Sequence, residues 1–261
     1  MEKVFADAFI QKFEPYYFNL ENRDPSINKR AKIIRKDFLD FWDIYKLNGT
    51  DKDAEDFVVE HLLKKGVYCT ASLAWKAGKV YWNDNSLGFK DSFKNGEDYS
   101  IGERGKPLSK KEFDDYLRLL IEKKDVINEF INTKRFQEAY QIALMISDDQ
   151  SQTPKYFGPV NIINALFFVS CGKAPIYDSF AHKAVRALAM NIAPQSVFMG
   201  ANPDKTETRS VLRMYNEYMC LLKKLFPEYV NKDGNDEFIP RELDRALWVY
   251  GHCGREWRPN D

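Results

Sequence analysis

The chain lacks a net charge of either sign: Lys and Arg number 39, and Asp and Glu number 39. A sequence-blind hold on nucleic acid needs an excess of basic side chains. The balance excludes that mode for the chain as a whole, although not for a local basic face. Cysteine is scarce, with Cys69, Cys171, Cys220 and Cys253, and no two are spaced as CxxC. They read as buried thiols of a reducing compartment rather than as a disulfide framework. The three histidines, His61, His182 and His252, are scattered. A zinc site needs four close ligands, so neither a metal nor a cofactor is expected. No apolar run approaches the ~18 residues of a membrane span. The first residues, Met1 to Asp7, carry charges where a signal peptide would be apolar. The expectation is a cytoplasmic protein without membrane contact. Repeats and linker-like tracts are also missing.

What is present is a large apolar supply. Hydrophobic residues make up 44% and aromatics 15% of 261 residues, enough for a real core. Residues 1–26 are rich in aromatics and broken at Pro15 and Pro25; they are expected to drape over that core. Helical spacing of apolar residues predicts a helix from Ile27 to about Tyr45, with Lys29, Arg30, Lys32, Arg35 and Lys36 on its other face. That face is either solvated or turned to phosphate. A second helix is expected over Asp51 to Lys65. Val67 to Trp75 reads either as a strand hairpin turning at Ala77-Gly78 or, the favoured reading, as a short helix capped by Gly78, with an extended piece at Lys79 to Trp82. Residues 83–108, with many Asn and Gly, read as a long surface loop. Ser109 with Glu112 makes a capping box. Helices follow to about Asp125, over Val126 to Asn132 and over Lys134 to Ile146. Later helices are expected over Asp178 to Asn191, from an Asp204 or Glu207 cap to Phe226, and over Arg241 to His252. The fold class is mainly α, two helical lobes with few or no strands.

The most informative stretch is residues 156–178. Gly158-Pro159 makes a tight turn, and proline suits the first turn of a helix because its missing N–H needs no partner there. Val160 to Ser170 is apolar on almost every face, as in a buried helix. Gly172 sits where a left-handed cap ends it, and Pro175 prevents its resumption. The free N–H groups of such a helix start can bind an anion such as phosphate. Asp178 then leaves the far end of the same helix as an isolated carboxylate. One reading makes Asp178 the N-cap of the next helix. The other places it beside a sugar, opposing positive charge at the anomeric carbon or activating water. The two are compatible, since a helix start favours a negative charge. An ion pair at about 4 Å and an effective dielectric near 20 is worth roughly 4 kcal/mol. Formed only in the transition state, that is about a thousandfold in rate.

Residues from about Lys134 to Leu188 resemble the helix-hairpin-helix DNA glycosylase superfamily. Phe157, Gly158, Pro159 and Val160 match the hairpin exit, and Pro175-Ile176-Tyr177-Asp178 matches the aspartate loop. The segment Leu243 to His252 is similar to the end of prokaryotic proteins with the 8-oxoguanine DNA glycosylase fold. The resemblance implies a single unit over 1–261. Residues 1–133 and 192–261 would form the outer lobe, and 134–191 the helix-hairpin-helix and Asp loop. It implies Asp178 as catalytic acid, the hairpin residues as the backbone-phosphate contact, and a base flipped into a cleft. The base pocket would draw on Trp248, His252 and His182, with Trp75 and Trp257 as further aromatic candidates. The partner would be DNA or a modified nucleotide, with proteins of an anti-phage defence system as further partners.

Two departures bear on the chemistry. The family hairpin has two glycines, and here only Gly158 fits. The family lysine that forms a Schiff base falls at Val160 or Asn161; Lys155 and Lys173 are near in sequence but differently spaced. The implied activity is therefore monofunctional release of an oxidised or modified guanine. The alternative is a module of the same fold that binds a nucleotide, nucleic acid or protein without cleaving.

Overall fold

The computed structural model describes residues 3–18, 51–76, 78–89, 98–99, 108–148, 158–174, 176–200, 207–229 and 239–257. The helix expected over Ile27 to Tyr45 lies outside the described residues, as do Lys155, Phe157, Pro175 and Asp204. The protein is mainly helical. It divides into two compact units: Met1–Asp51, Tyr177–Asn202 and Tyr215–Asp261 form one, and Lys52–Ile176 with Pro203–Met214 the other. The division falls between Ile176 and Tyr177, inside the 134–191 piece that the sequence reading kept whole.

The second of these units is built around the apolar helix. Helix α2 (Lys52–Phe57) continues through a π-helical turn, Val58–Leu63, and stops at Gly66, whose φ is +61°. Helix α3 (Thr70–Lys76) ends where Gly78 takes a φ of +65°. Strands β1 (Val80–Asn83) and β2 (Ser86–Phe89) pair antiparallel, as do β3 (Asp98–Tyr99) and β4 (Leu108–Ser109). The expected loop over 83–108 therefore contains strands. Asp84 and Asn85, at φ 46° and 60°, form the two-residue turn of the first hairpin. Helices α4 (Lys110–Glu122), α5 (Lys124–Asn132), α6 (Phe136–Asp148) and α7 (Pro159–Val169) follow. On α4, Phe113, Tyr116 and Leu120 are buried as the spacing requires, but Ile121 is exposed.

Helix α7 is buried from Ile162 to Val169. Phe168 meets Trp75 and Tyr68, and Tyr68 meets Phe113. Its polar exception is Asn164, fully buried beside the Tyr68 hydroxyl. The helix ends by the expected cap. Gly172, at φ +84°, donates its N–H back to Phe167 O at 2.8 Å. Ser170 Oγ then accepts from Ala174 N at 2.8 Å, turning the chain out of the helix.

The other unit contains α1 (Lys3–Phe13), α8 (Ser179–Met190), α10 (Arg241–Tyr250) and, from Tyr215 onward, α9 (Thr208–Leu225). Residues 3–13 are a helix, not a drape: Phe9 and Phe13 lie fully buried in an aromatic cluster with Phe226, Tyr250 and Trp257. Helix α9 buries Val211, Tyr215, Tyr218, Met219 and Leu222, the face its spacing predicts. Helix α8 packs on α10, as does α1. The cysteines differ from expectation. Cys253 is buried and Cys69 half-buried, whereas Cys171 and Cys220 are exposed.

Candidate functional site

Asp178 is the N-cap of α8. Its backbone is extended (φ −136°, ψ 137°), and its Oδ1 accepts the Phe180 N–H at 2.8 Å. Its carbonyl accepts from His182 N at 3.0 Å. Capping fixes the side chain at the helix start, and the residue stays half-exposed.

The ring stack beside it grows out of the packing of α8 against α10. Gly251 follows the last turn of α10, and a Cβ there would lie 2.1 Å from Phe180 O. The backbones meet at a distance only glycine permits. This approach lays the Phe180 ring on His252, with centroids 3.6 Å apart and planes at 19°. Trp248, one turn earlier on α10, lies 4.4 Å from the His252 ring, and Tyr17 meets Trp248 edge-on at 5.5 Å. Phe180 and the half-exposed Trp248 and His252 leave ring surface open to solvent. His252 Nδ1 is 2.8 Å from Trp248 O. A carbonyl only accepts, so Nδ1 carries the proton, and Nε2 is the acceptor of the neutral ring. Burial holds His252 below the usual histidine range, against the opposing pull of the Trp248 carbonyl and Asp178; Lys183 adds to the lowering.

His182 lies one turn past Asp178 but points inward and is buried. Its Nδ1 sits 3.0 Å from the Tyr177 hydroxyl, and its Nε2 3.8 Å from Glu217 Oε2. Burial lowers its pKa to about 4, outweighing the upward pull of Glu217. Tyr177, His182 and Tyr218 pack ring on ring. Burial raises the Tyr218 hydroxyl well above its ordinary range, and Asp244 and Asp178 add to the effect. Glu217 is held by Arg186 through a bidentate pair at 2.6 and 2.7 Å.

The hairpin residues belong to the other unit. Gly158 is the N-cap of α7, in an extended conformation, with Pro159 at the first helical position. Both are buried, and Val160 is half-buried. Pro159 has no N–H, and the Asn161 N–H already donates to Gly158 O at 3.0 Å. Of the first three residues of α7, Val160 alone keeps an N–H outside that bond. Lys173 is bound to Asn132 Oδ1 at 2.9 Å. Trp75 donates its indole N–H to Glu55 in the core, and Trp257 is buried in the aromatic cluster. Of the three tryptophans considered, Trp248 is the one not buried.

Sequence reasoning missed Phe180 and Gly251. Phe180 was one more apolar residue at a helix start, and Gly251 lay inside the helix expected over Arg241 to His252, which ends instead at Tyr250. Their contact is tertiary and leaves no local pattern. Among the described residues no group of His, Cys, Asp and Glu is placed to hold a metal ion. No family model, curated protein or solved structure matches the chain.

Proposed function

We propose that the protein is an N-glycosylase that releases an oxidised or modified guanine-type base from a nucleic acid or nucleotide, with Asp178 as the reacting carboxylate. The observation that carries the reading is a capped, half-exposed acid next to an open aromatic stack, Phe180 on His252 beside Trp248. Heterolysis of the glycosidic bond leaves the electron pair on the base nitrogen and positive charge on the sugar. The Asp178 carboxylate opposes that charge and takes the proton of the water that attacks the anomeric carbon. The stack offers a π-face to a planar base, worth about 1–3 kcal/mol. Neutral His252 has Nε2 left to accept an N–H from the base edge. Val160 and Asn161 stand where the resemblance would put a Schiff-base lysine. Water is accordingly the nucleophile.

The test is base release from 8-oxoguanine- and deazaguanine-containing duplexes and from the free nucleotides. The wild-type protein is expected to release base, and Asp178→Asn to lose about a thousandfold of that rate. Borohydride is expected to trap no covalent adduct. Equal rates in the two proteins would remove Asp178 from the reaction. The same valine and asparagine favour a second reading, a binding module without turnover. Tight binding by wild type with no product would establish it.

A further inference from the structure

In the buried run of α7 from Ile162 to Val169, Asn164 is the one polar side chain. Its exposure is 0%. An asparagine inside a helix usually turns its amide to solvent or to a backbone carbonyl one turn back. Asn164 does neither. Its Nδ2 and Oδ1 have no hydrogen-bond partner among the described residues, and the same is true of the Tyr68 hydroxyl beside it. Tyr68, between Gly66 and α3, is buried as well. The amide is close enough to act on that hydroxyl, but the pair misses hydrogen-bond geometry.

The surroundings limit what can meet these atoms. Burial raises the Tyr68 hydroxyl well above its ordinary range; Tyr116 on α4 adds to this and Asn164 opposes it, with a smaller upward push from Cys69. Burial raises Tyr116 likewise, and Tyr140 on α6 adds to it. Tyr68 and Tyr116 therefore stay protonated at pH 7, and a phenol both donates and accepts. None of the groups acting on them is a carboxylate, an ammonium or a guanidinium. An ion placed here would lose its hydration with no opposite charge to replace it. An apolar molecule would leave the polar atoms unmet. What fits is small, neutral, and able to donate and accept at once. Buried polar atoms are almost always paired, with protein or with water. A buried water needs about 2–4 polar partners, which the amide and the phenol oxygen supply.

We propose that Asn164 and Tyr68 form a binding site for a buried water molecule, which bridges the amide of α7 to the hydroxyl of the segment before α3. The site lies in the unit that does not hold Asp178, and its test is independent of base release. A water held this way is costly to remove. It also ties the apolar α7 to its neighbours by a directional contact, which its hydrocarbon side chains do not provide. Satisfied polar networks of this kind give a core one arrangement.

The experiment uses the full chain. A high-resolution crystal structure of wild type is expected to show a water oxygen about 2.7–3.2 Å from both the Asn164 amide and the Tyr68 hydroxyl. Thermal melts then tell a held water from an unmet amide by sign. Asn164→Leu nearly keeps the volume and removes the polar atoms. Loss of a held water lowers the melting temperature, by about 2–4 °C, whereas loss of an amide that met nothing raises it. Tyr68→Phe removes one oxygen and adds no bulk, so it reads the site even where Asn164→Leu fails to fold. It is expected to melt about 2–4 °C below wild type, and its own crystal structure to lack the water. In the double variant the two falls are expected to overlap rather than add, because both remove the same molecule. A rise in melting temperature for either single variant overturns the proposal. So does electron density that shows Asn164 bonded directly to Tyr68 with no water at the pair.

Discussion

Asp178 caps α8 and, in the proposed reading, also carries the reaction; one substitution separates the two. Asparagine is as good an N-cap as aspartate, and alanine is not. Asp178→Asn is therefore expected to melt like wild type while losing activity. Asp178→Ala is expected to lose about 1 kcal/mol as well, a melting shift of about 2–4 °C for a chain of this size. Thermal melts of the two variants check this. His182 gives a pH signature of its own. Its folded pKa is lowered to about 4 from an ordinary 6.5. Between these values the unfolded chain binds the proton and the folded protein does not. The contribution is full above about pH 6.5 and is lost as pH falls through about 4. It amounts to about 3 kcal/mol. The groups facing the ring are Glu217, Arg186, Tyr177 and Tyr218. Denaturant midpoints measured from pH 7 to pH 4 are expected to fall less steeply in His182→Gln than in wild type. Parallel curves would place the acid sensitivity elsewhere.

Among the elements, the meeting of α8 and α10 decides the most. Gly251→Ala puts a methyl into Phe180 O and is expected to destabilise by about 2 kcal/mol or more. Hydrogen exchange at Phe180 and Ala181 should quicken with it, because the first turn of α8 must move. Unchanged exchange there would show that the contact yields without cost. This scale also shows what the sequence makes readable. The ends of α7 and α8 were legible because their signals are local: Pro159 starts one, Gly172 stops it, and Asp178 caps the next. The first helix was not, because Pro15 and a crowd of aromatics read as irregular chain, whereas Phe9 and Phe13 are ordered by partners more than 200 residues away. The Asp84-Asn85 hairpin was lost among other Asn and Gly residues, because its turn lacks the Asn-Gly or Asp-Gly pair that marks such hairpins most strongly. At the site, Asp178, Trp248 and His252 were legible as residues. The inward turn of His182 and the stacking of Phe180 were not, because burial depends on how α8 meets its neighbours.

The whole molecule has no net charge at pH 7 and a sequence pI of about 6.8. Neutral surfaces do not repel one another. Solubility is expected to be lowest near pH 7 and to rise on either side. Static light scattering at pH 6, 7 and 8 checks this; a flat profile would show that local patches, rather than total charge, govern association. Among the described residues no helix is long and apolar enough to cross a membrane.

The closing of Phe5, Phe9 and Phe13 by Trp257 has a consequence for synthesis. During synthesis these phenylalanines emerge more than 240 residues ahead of their lid. The unit holding Asp178 thus waits through the synthesis of those residues with its aromatic seam uncovered. A chaperone that shields that seam would govern the yield of folded protein more than any feature of the finished site.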